Sequence, residues 1–581
     1  MLANRGFGFM ENRLSSLISI MTEYEIDVLL LYNTDEYQSE YIHESKQRLR
    51  WLCGFSGSNA TLIISKQEKQ HFFTDGRYTL QAQQELDLNC YQIHNVADIT
   101  PWQWCIRNLP AGVIVGYEAQ LFTLNHIKKY TNHHIILKPI DDILIDRLWV
   151  RDFNVLQNIV NHDLKYSGIA GYERAGEAIK YLHGKDVALI TDTDVISWLL
   201  NIRNKDFVFN PSVLSRAILY KDGTIDLFIE NVESVNFEYE YIRIYHIDEL
   251  FSVLESIQSI VIDASTVPMN IFKHLSQKDI LVKDFDACLI MKSIKNDTEI
   301  SGAVNAHVRD GVAVINLLYW LDVQLNSNAR ITELDVVSQL LIFRQQQDLF
   351  CGDSFATISG FAENGAVIHY KVNNETNKLI CKNGLYLLDS GGQYLDGTTD
   401  VTRTIAIGEP TYEQIVNFTL VLKGHIAIAM AVFPLKTTGG MLDILARQYL
   451  WKSGLDYQHG TGHGVGSFLS VHEGPCAISY GNNVILQPNM ILSNEPGYYK
   501  DGEYGIRIEN LMYVEKWCDK FLRFKQLTCV PIDLNLINVN MLSKEEIDYI
   551  NKYHDFVYTT VAPYLNAKVK DWLWNSCRSI K

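Results

Sequence analysis

Apolar positions along the chain recur in units of helix, strand and polar turn. Leu14, Leu17, Ile18 and Met21 fall at helical spacing, and the apolar run Val28-Leu29-Leu30-Leu31-Tyr32 that follows predicts a buried strand closed by Asn33-Thr34-Asp35. The pattern returns where a helix predicted over 172–182 leads into Val187-Ala188-Leu189-Ile190 and then Thr191-Asp192-Thr193-Asp194. Such units are common in α/β domains, but the same order met twice reads as a duplicated module. The expected fold class is therefore α/β (α+β), with boundaries near residue 150, after Ile143-Leu144-Ile145-Asp146-Arg147-Leu148-Trp149, and near 288. The domains predicted are 1–150, 151–288 and 289–581. From Asn296 the pattern changes: Asn296 with Glu299 has the form of a helix capping box, and Val304, Val308, Val312 and Ile315 mark a long apolar stripe. Further helices are predicted over 412–430 and 441–452, around strand-like runs. Beyond about residue 525 lies a C-terminal extension without candidate chemistry. There Leu542-Ser543-Lys544-Glu545-Glu546-Ile547 reads as a helix start, and the tail through Trp572 and Trp574 is expected to pack or to meet a second subunit.

The strand-like runs of the last domain carry residues foreign to an apolar core. Asp389 and Asp400 flank a Gly-rich turn in Leu387-Leu388-Asp389-Ser390-Gly391-Gly392-Gln393-Tyr394-Leu395-Asp396-Gly397-Thr398-Thr399-Asp400. A hairpin there brings the carboxylates together, because even separations on adjoining strands share a face. His463 lies in His459-Gly460-Thr461-Gly462-His463-Gly464-Val465-Gly466, whose glycines let backbone and imidazole approach a crowded centre. Glu495 precedes Pro496-Gly497 after the strand-like Met490-Ile491-Leu492-Ser493-Asn494, and Glu509 follows Tyr504-Gly505-Ile506-Arg507-Ile508. Singly, each carboxylate reads as a turn residue or helix cap, and the histidine as structural. Together, in order within about 120 positions, they read as one metal centre. One imidazole and four carboxylates suit hard or borderline cations, with manganese, iron, cobalt and zinc all admissible and thiolate metals disfavoured. Two such ions roughly 3.5–4 Å apart can hold a hydroxide and polarise a carbonyl.

Composition narrows the remaining classes. A chain of 581 residues has room for several hydrophobic cores, roughly three or four domains at the usual length. Its 51 Lys+Arg against 68 Asp+Glu leave a net charge of −17, which argues against a nucleic-acid partner. No run approaches the ~18 apolar residues of a membrane helix, and Met1–Asn12 lacks a charged head followed by an apolar core. The ten cysteines, among them Cys53, Cys105, Cys288 and Cys476, form no CxxC pair. A cytoplasmic chain with reduced thiols and no membrane partner is expected.

The strings Leu388-Asp389-Ser390-Gly391, Asp396-Gly397-Thr398-Thr399-Asp400-Val401-Thr402-Arg403-Thr404, His459–Gly466, Asn494-Glu495-Pro496-Gly497 and Gly505-Ile506-Arg507-Ile508-Glu509-Asn510 resemble the pita-bread metallopeptidases. The long, three-domain Xaa-Pro aminopeptidases are the most similar branch. The resemblance runs over nearly the whole chain, including Gln38-Ser39-Glu40-Tyr41-Ile42 and Thr74-Asp75-Gly76-Arg77-Tyr78. It implies two creatinase-like N-terminal α/β domains followed by a pita-bread catalytic domain. The implied reaction is hydrolysis of the N-terminal Xaa-Pro bond by a hydroxide between two divalent ions, most often Mn2+. Asp400 and Glu509 would bridge the ions, Asp389 would complete one site, and His463 with Glu495 the other. Glu495 would also shuttle the proton, while His369 and His472 would hydrogen-bond the developing oxyanion. The substrate contacts implied are Arg77, His369, His459, His463, His472 and Glu495, with Arg77 arriving from a partner domain or subunit. His459 equally fits a histidine packed beside the glycine turn. Arg507, a fixed cation beside Glu509, would orient the carboxylates and temper their mutual repulsion. A homodimer acting on peptides with proline second is implied as well.

Three other readings stand beside this one. A prolidase would use the same five ligands, but prolidases and methionine aminopeptidases usually carry one such N-terminal domain or none, which the apparent duplication here disfavours. A non-catalytic binding module on the same fold would ordinarily have lost ligands, and all five are present. A creatinase works without metal and leaves these carboxylates unexplained.

Overall fold

The helix Ala3–Glu23 forms where the apolar spacing predicts it, with Leu14, Leu17 and Met21 buried and Ile18 packed at the margin of the same core. The structure, a computed structural model, describes residues 3–66, 69–152, 157–235, 239–283 and 287–581. The strand after that helix, Val28–Tyr32, runs antiparallel to Thr61–Ser65 and parallel to Ile114–Glu118. It lies inside a six-stranded sheet ordered Tyr91–Asn95, Gln70–Thr74, Thr61–Ser65, Val28–Tyr32, Ile114–Glu118, Ile136–Ile140. Val187–Ile190 holds the same place in a second six-stranded sheet, ordered Ile242–His246, Ile225–Ile229, Arg216–Tyr220, Val187–Ile190, Ser259–Asp263, Asp279–Lys283. Every neighbouring pair has the same direction in both sheets. The repeat seen in the sequence is therefore a repeat of topology. Its polar turns correspond too: Asp35 accepts from the Tyr37 and Ser39 N–H groups, and Asp192 from those of Asp194 and Val195. A short acidic side chain after the strand thus satisfies the backbone donors that the turn leaves open. Both sheets belong to one unit, Met1–His162, Ala170–Asp206 and Ser212–Cys288.

The first sheet buries a carboxyl that it barely solvates. Glu118 is 0% exposed; its Oε1 accepts from the Leu144 N–H at 2.7 Å and its Oε2 has no hydrogen-bond partner. Burial pushes this carboxyl from 4.5 up to about 8, against the Leu144 bond and the Arg48 charge. Through that window the unfolded chain has released a proton that the folded chain retains, so stability falls as pH rises and levels off above the folded value. Glu118→Gln is neutral throughout. Its stability relative to wild type should rise with pH, by on the order of 4–5 kcal/mol once the window is crossed. Urea unfolding of both proteins at about pH 5 and about pH 9 reads this, and parallel pH profiles would sink it.

The second unit comprises Asp163–Ile169, Phe207–Pro211 and Leu289–Lys581. Its long helix Asp297–Asn326 starts with the expected reciprocal Asn296–Glu299 capping box. The predicted stripe needs one correction. Val312 and Ile315 are buried, but Val304 is 40% exposed. Gly302, Ala303 and Ala306 take the inward positions, because the turn at Asp396-Gly397 comes so close that a Cβ on Gly302 would stand 2.2 Å from the Asp396 carbonyl. Small residues permit that approach, and the helix phase then turns Val304 outward.

Two antiparallel sheets of this unit carry the chemistry. One has three strands, Ile358–Phe361, Gly384–Ser390 and Val401–Ile407. The other runs Val432–Pro434, Phe521–Gln526, Asn510–Cys518, Ile491–Asn494, Gly462–Gly464, Glu473–Ile478. The predicted helices form as Tyr412–Ala429, Gly439–Trp451 and Lys544–Val561, the last with a Ser543–Glu546 capping box. In the tail, Trp572 donates to Asp322 at 3.1 Å, whereas Trp574 is exposed.

Candidate metal centre

Asp389 is the penultimate residue of Gly384–Ser390 and stands opposite Thr402 in the pair with Val401–Ile407. Asp400, two residues before Thr402, falls on the same side by the alternation of extended chain. The hairpin between them is more elaborate than a direct return. Gly392–Tyr394 pairs with Phe350–Asp353 and with Gly397–Thr398, so the tip leaves the main sheet. At the point of departure, a Cβ on Gly391 would stand 2.0 Å from the Thr399 carbonyl, so only glycine closes this turn.

The other three residues come from the six-stranded sheet and its connections. A Cβ on Gly462 would lie 2.0 Å from the Ser493 carbonyl and one on Gly464 2.3 Å from the Glu473 carbonyl, so these glycines let the His463 strand press between its neighbours. Glu495 follows Ile491–Asn494, and its N–H donates to the Thr461 carbonyl at 2.7 Å. Glu509 sits between Tyr504–Arg507 and Asn510–Cys518. Its N–H donates to the Thr402 carbonyl at 3.2 Å and its Oε2 accepts from Thr402 Oγ1 at 2.7 Å, which joins the two sheets opposite Asp389.

These side chains converge. Ligand atoms of Asp400, His463 and Glu509 lie within 4.8 Å of one another. His463 Nδ1 donates to the Gly464 carbonyl at 2.9 Å, which leaves the lone pair on Nε2, 3.5 Å from Asp400 Oδ2 and 3.3 Å from Glu495 Oε1. Asp389 Oδ2 accepts from Arg507 Nη2 at 2.5 Å. The same guanidinium donates to Thr402 Oγ1 at 3.2 Å and to the Tyr499 hydroxyl at 2.6 Å.

So many buried carboxylates raise one another's proton affinity. Asp400 is held well above the usual carboxylate range by burial and then by the Glu509 charge; Glu509 is held there by burial and then by Glu495. Burial pushes Glu495 up to about 7, with Asp389 adding to the rise and Arg507 opposing it. Asp389 Oδ1 and Asp400 Oδ1 are buried and accept no hydrogen bond. Anionic oxygens without donors, grouped with an imidazole lone pair, are what a divalent cation satisfies. The residues fit a metal site.

Around this centre the His472 ring stands edge-on to His463, with centroids 4.5 Å apart. Arg507 Nη2 also donates to the Ile368 carbonyl at 3.4 Å, which anchors the segment carrying His369. His459 Nδ1 donates to the Gly460 carbonyl at 2.8 Å, so Nε2 accepts from the Tyr499 hydroxyl at 2.8 Å, and both ring nitrogens have protein partners. Arg77 belongs to the other unit, where Asp75 grips it through Nε at 2.9 Å and Nη2 at 2.8 Å. Three supporting residues are additions to the sequence reading. Ser493 Oγ accepts from the His463 N–H at 2.9 Å and donates to Glu495 Oε1 at 3.1 Å, while Thr402 and Tyr499 bond as described. Ser493 and Thr402 each lie two residues from a ligand on extended chain, a spacing that marks them; Tyr499 has no such signal.

Comparison with known proteins matches the chain in four consecutive parts. Models of the creatinase/prolidase N-terminal domain match residues 13–148 and 151–299, metallopeptidase family M24 matches 301–516, and the C-terminal region of that peptidase matches 520–580. Aminopeptidase P2 of Arabidopsis thaliana is 36% identical, covering 98% of this chain and 88% of its own. Xaa-Pro aminopeptidase 1 of Dictyostelium discoideum is 36% identical, covering 98% of this chain and 96% of its own. Among solved structures, the X-prolyl aminopeptidase from Caenorhabditis elegans, described as a cytosolic enzyme with a di-nuclear active site, is 32% identical with a TM-score of 0.93, covering 98% of this chain and 100% of that one. Matched from near its start to near its end, with Asp400, His463 and Glu509 within 4.8 Å of one another, this chain belongs to metallopeptidase family M24, in the form that carries two creatinase/prolidase N-terminal domains.

Proposed function

We propose that the chain is a metallo-aminopeptidase that hydrolyses the N-terminal Xaa-Pro bond of peptides and releases the first residue. The observation that carries this is the meeting of Asp400, His463 and Glu509 within 4.8 Å, beside Asp389 and Glu495, in a chain alike from end to end to aminopeptidases of this type. Asp389, Asp400, His463, Glu495 and Glu509 would hold two divalent ions, with Asp400 and Glu509 shared between them. Mn2+ is the metal proposed on the family resemblance, from among the hard or borderline ions that four carboxylates and an imidazole accept. When bound, such ions supply Lewis-acid polarisation of a carbonyl and activation of water near neutral pH.

The chain's own residues do the remainder. His369 and His472 donate hydrogen bonds to the scissile carbonyl oxygen as it gains charge, an effect worth a few kcal/mol. Glu495 takes the proton of the attacking water and passes it to the prolyl nitrogen as the bond breaks. His459 and His463 line the pocket, and Arg77 would contact the substrate from a partner domain or subunit, with domain bounds proposed at 1–150, 151–288 and 289–581. A cytoplasmic homodimer without a nucleic-acid or membrane partner completes the proposal. Among the described residues no helix is long and apolar enough to cross a membrane.

Metal analysis of the purified protein should give about two ions per chain; none would favour a non-catalytic scaffold. After chelation and return of Mn2+, the protein should cleave Arg-Pro-Pro-type tripeptides and longer Xaa-Pro peptides in preference to Xaa-Ala peptides. Cleavage of dipeptides alone would make it a prolidase. Arg77→Ala removes a charge-assisted contact of about 1.5–3 kcal/mol, so kcat/KM on tripeptides should fall roughly tenfold to a hundredfold with metal content unchanged. Unaltered kinetics would remove Arg77 from the substrate.

A further inference from the structure

One buried arginine joins the C-terminal region to the metal centre. Arg403, three residues beyond Asp400, is 2% exposed. Its Nη1 donates to the Thr402 and Glu509 carbonyls at 2.7 and 2.6 Å. Nε donates to the Pro531 carbonyl at 2.9 Å, and Nη2 to Asn510 Oδ1, the Val530 carbonyl and the Tyr553 hydroxyl at 2.8, 2.7 and 2.9 Å. Six acceptors meet the five N–H groups of a guanidinium, so no donor is spare. Thr402, Glu509 and Asn510 lie at the metal centre, and Pro531, Val530 and Tyr553 lie in the C-terminal region at 520–580. None of the six acceptors is a carboxylate, so this buried cation is placed for hydrogen-bond direction and not to form an ion pair. Tyr553, on the helix Lys544–Val561, in turn donates to the Val530 carbonyl at 2.7 Å.

We propose that Tyr553 and Arg403 are positioning residues for Glu509: the helix Lys544–Val561 seats the guanidinium, and the guanidinium fixes the Glu509 carbonyl while Thr402 fixes its N–H and carboxylate. The C-terminal region is then a working part of the metal site. This rests on Glu509 being a ligand, as proposed above.

Two tyrosines on one helix give the test. The Tyr549 hydroxyl is buried with no hydrogen-bond partner, and its ring lies 6.4 Å from that of Tyr553. Full-length Tyr553→Phe and Tyr549→Phe each lose one buried hydroxyl, and only the first of these accepts a hydrogen bond from Arg403. Competition with a chelator should show Mn2+ held about tenfold to a hundredfold more weakly by Tyr553→Phe. Its kcat on an Xaa-Pro tripeptide should fall with KM within about twofold and recover partly in excess Mn2+. Tyr549→Phe should match wild type in both. Wild-type Mn2+ affinity in Tyr553→Phe, or an equal loss in Tyr549→Phe, would overturn the link. If Tyr553→Phe does not fold, Arg403→Lys, checked by circular dichroism, keeps the cation and loses the fork; undiminished Mn2+ affinity there overturns it equally. A wild type that binds no Mn2+ would sink the metal reading itself, whereas normal wild-type binding with an unchanged Tyr553→Phe sinks only this link.

Discussion

Asp400→Asn is expected to abolish turnover, lowering kcat/KM by at least about a thousandfold, or roughly 4 kcal/mol of transition-state stabilisation, in a protein that stays folded. Asp400 stands where both sheets meet, within reach of His463 and Glu509. A shared carboxylate offers two anionic oxygens, whereas an amide offers one neutral oxygen and an N–H face that repels a cation. The effect on stability should have the opposite sign in metal-free protein. Burial and the Glu509 charge hold the Asp400 carboxyl well above its usual range, so the metal-free wild type carries a repulsion that a neutral side chain of the same shape removes. In chelator the variant should therefore melt at or above the wild-type temperature. Added Mn2+ should raise the wild-type midpoint, by about 2.7 kcal/mol of stability at a hundred times the dissociation constant, and leave the variant where it was. Near-wild-type turnover would take Asp400 out of the site. A variant that melts far below wild type in chelator would give this carboxylate a structural role.

The parts of this fold legible in the sequence are those written in short-range signals. Reciprocal caps at Asn296–Glu299 and Ser543–Glu546 need only four consecutive residues, and both form. The strands Val28–Tyr32 and Val187–Ile190 announce themselves as apolar runs, and their equivalence extends to the strand order of two whole sheets. The glycines around His463 mark close approach before the approaching partner, the Ser493 carbonyl, is known. What stayed hidden depends on a second surface. Val304 has the spacing of a core residue, and only the turn at Asp396-Gly397, about ninety residues away, decides that alanines face inward. Arg403 sits in the same string as Asp400, yet three of its acceptors come from 530, 531 and 553, which no local pattern connects to it. Tyr499 is equally silent, being selected by Arg507 and His459 from different parts of the chain.

The second large effect is expected at Arg507, where the metal-free protein needs a cation most. Arg507 is 2% exposed and serves Asp389, Thr402, Tyr499 and the Ile368 carbonyl at once. Burial works against its charge, but Tyr499, Asp389 and Glu495 outweigh that and hold the guanidinium protonated more firmly than in water. Arg507→Met fills the space and deletes the charge, leaving Asp389 Oδ2 as unsupported as its Oδ1 already is. Breaking a buried pair from one side costs about 3–5 kcal/mol, so urea unfolding in chelator should show a loss of that size. Excess Mn2+ should return part of it, because a bound cation replaces some of the missing positive charge. Arg507→Lys should fall between the two: an ammonium keeps the charge but cannot serve acceptors in four directions. kcat should drop in both variants even with metal restored, since the His369 segment and the Tyr499–His459 bond lose their common anchor. If Arg507→Met unfolds in chelator at the wild-type midpoint, the carboxylates are protonated or hydrated enough to coexist without it, and the charge balance argued for this centre is wrong.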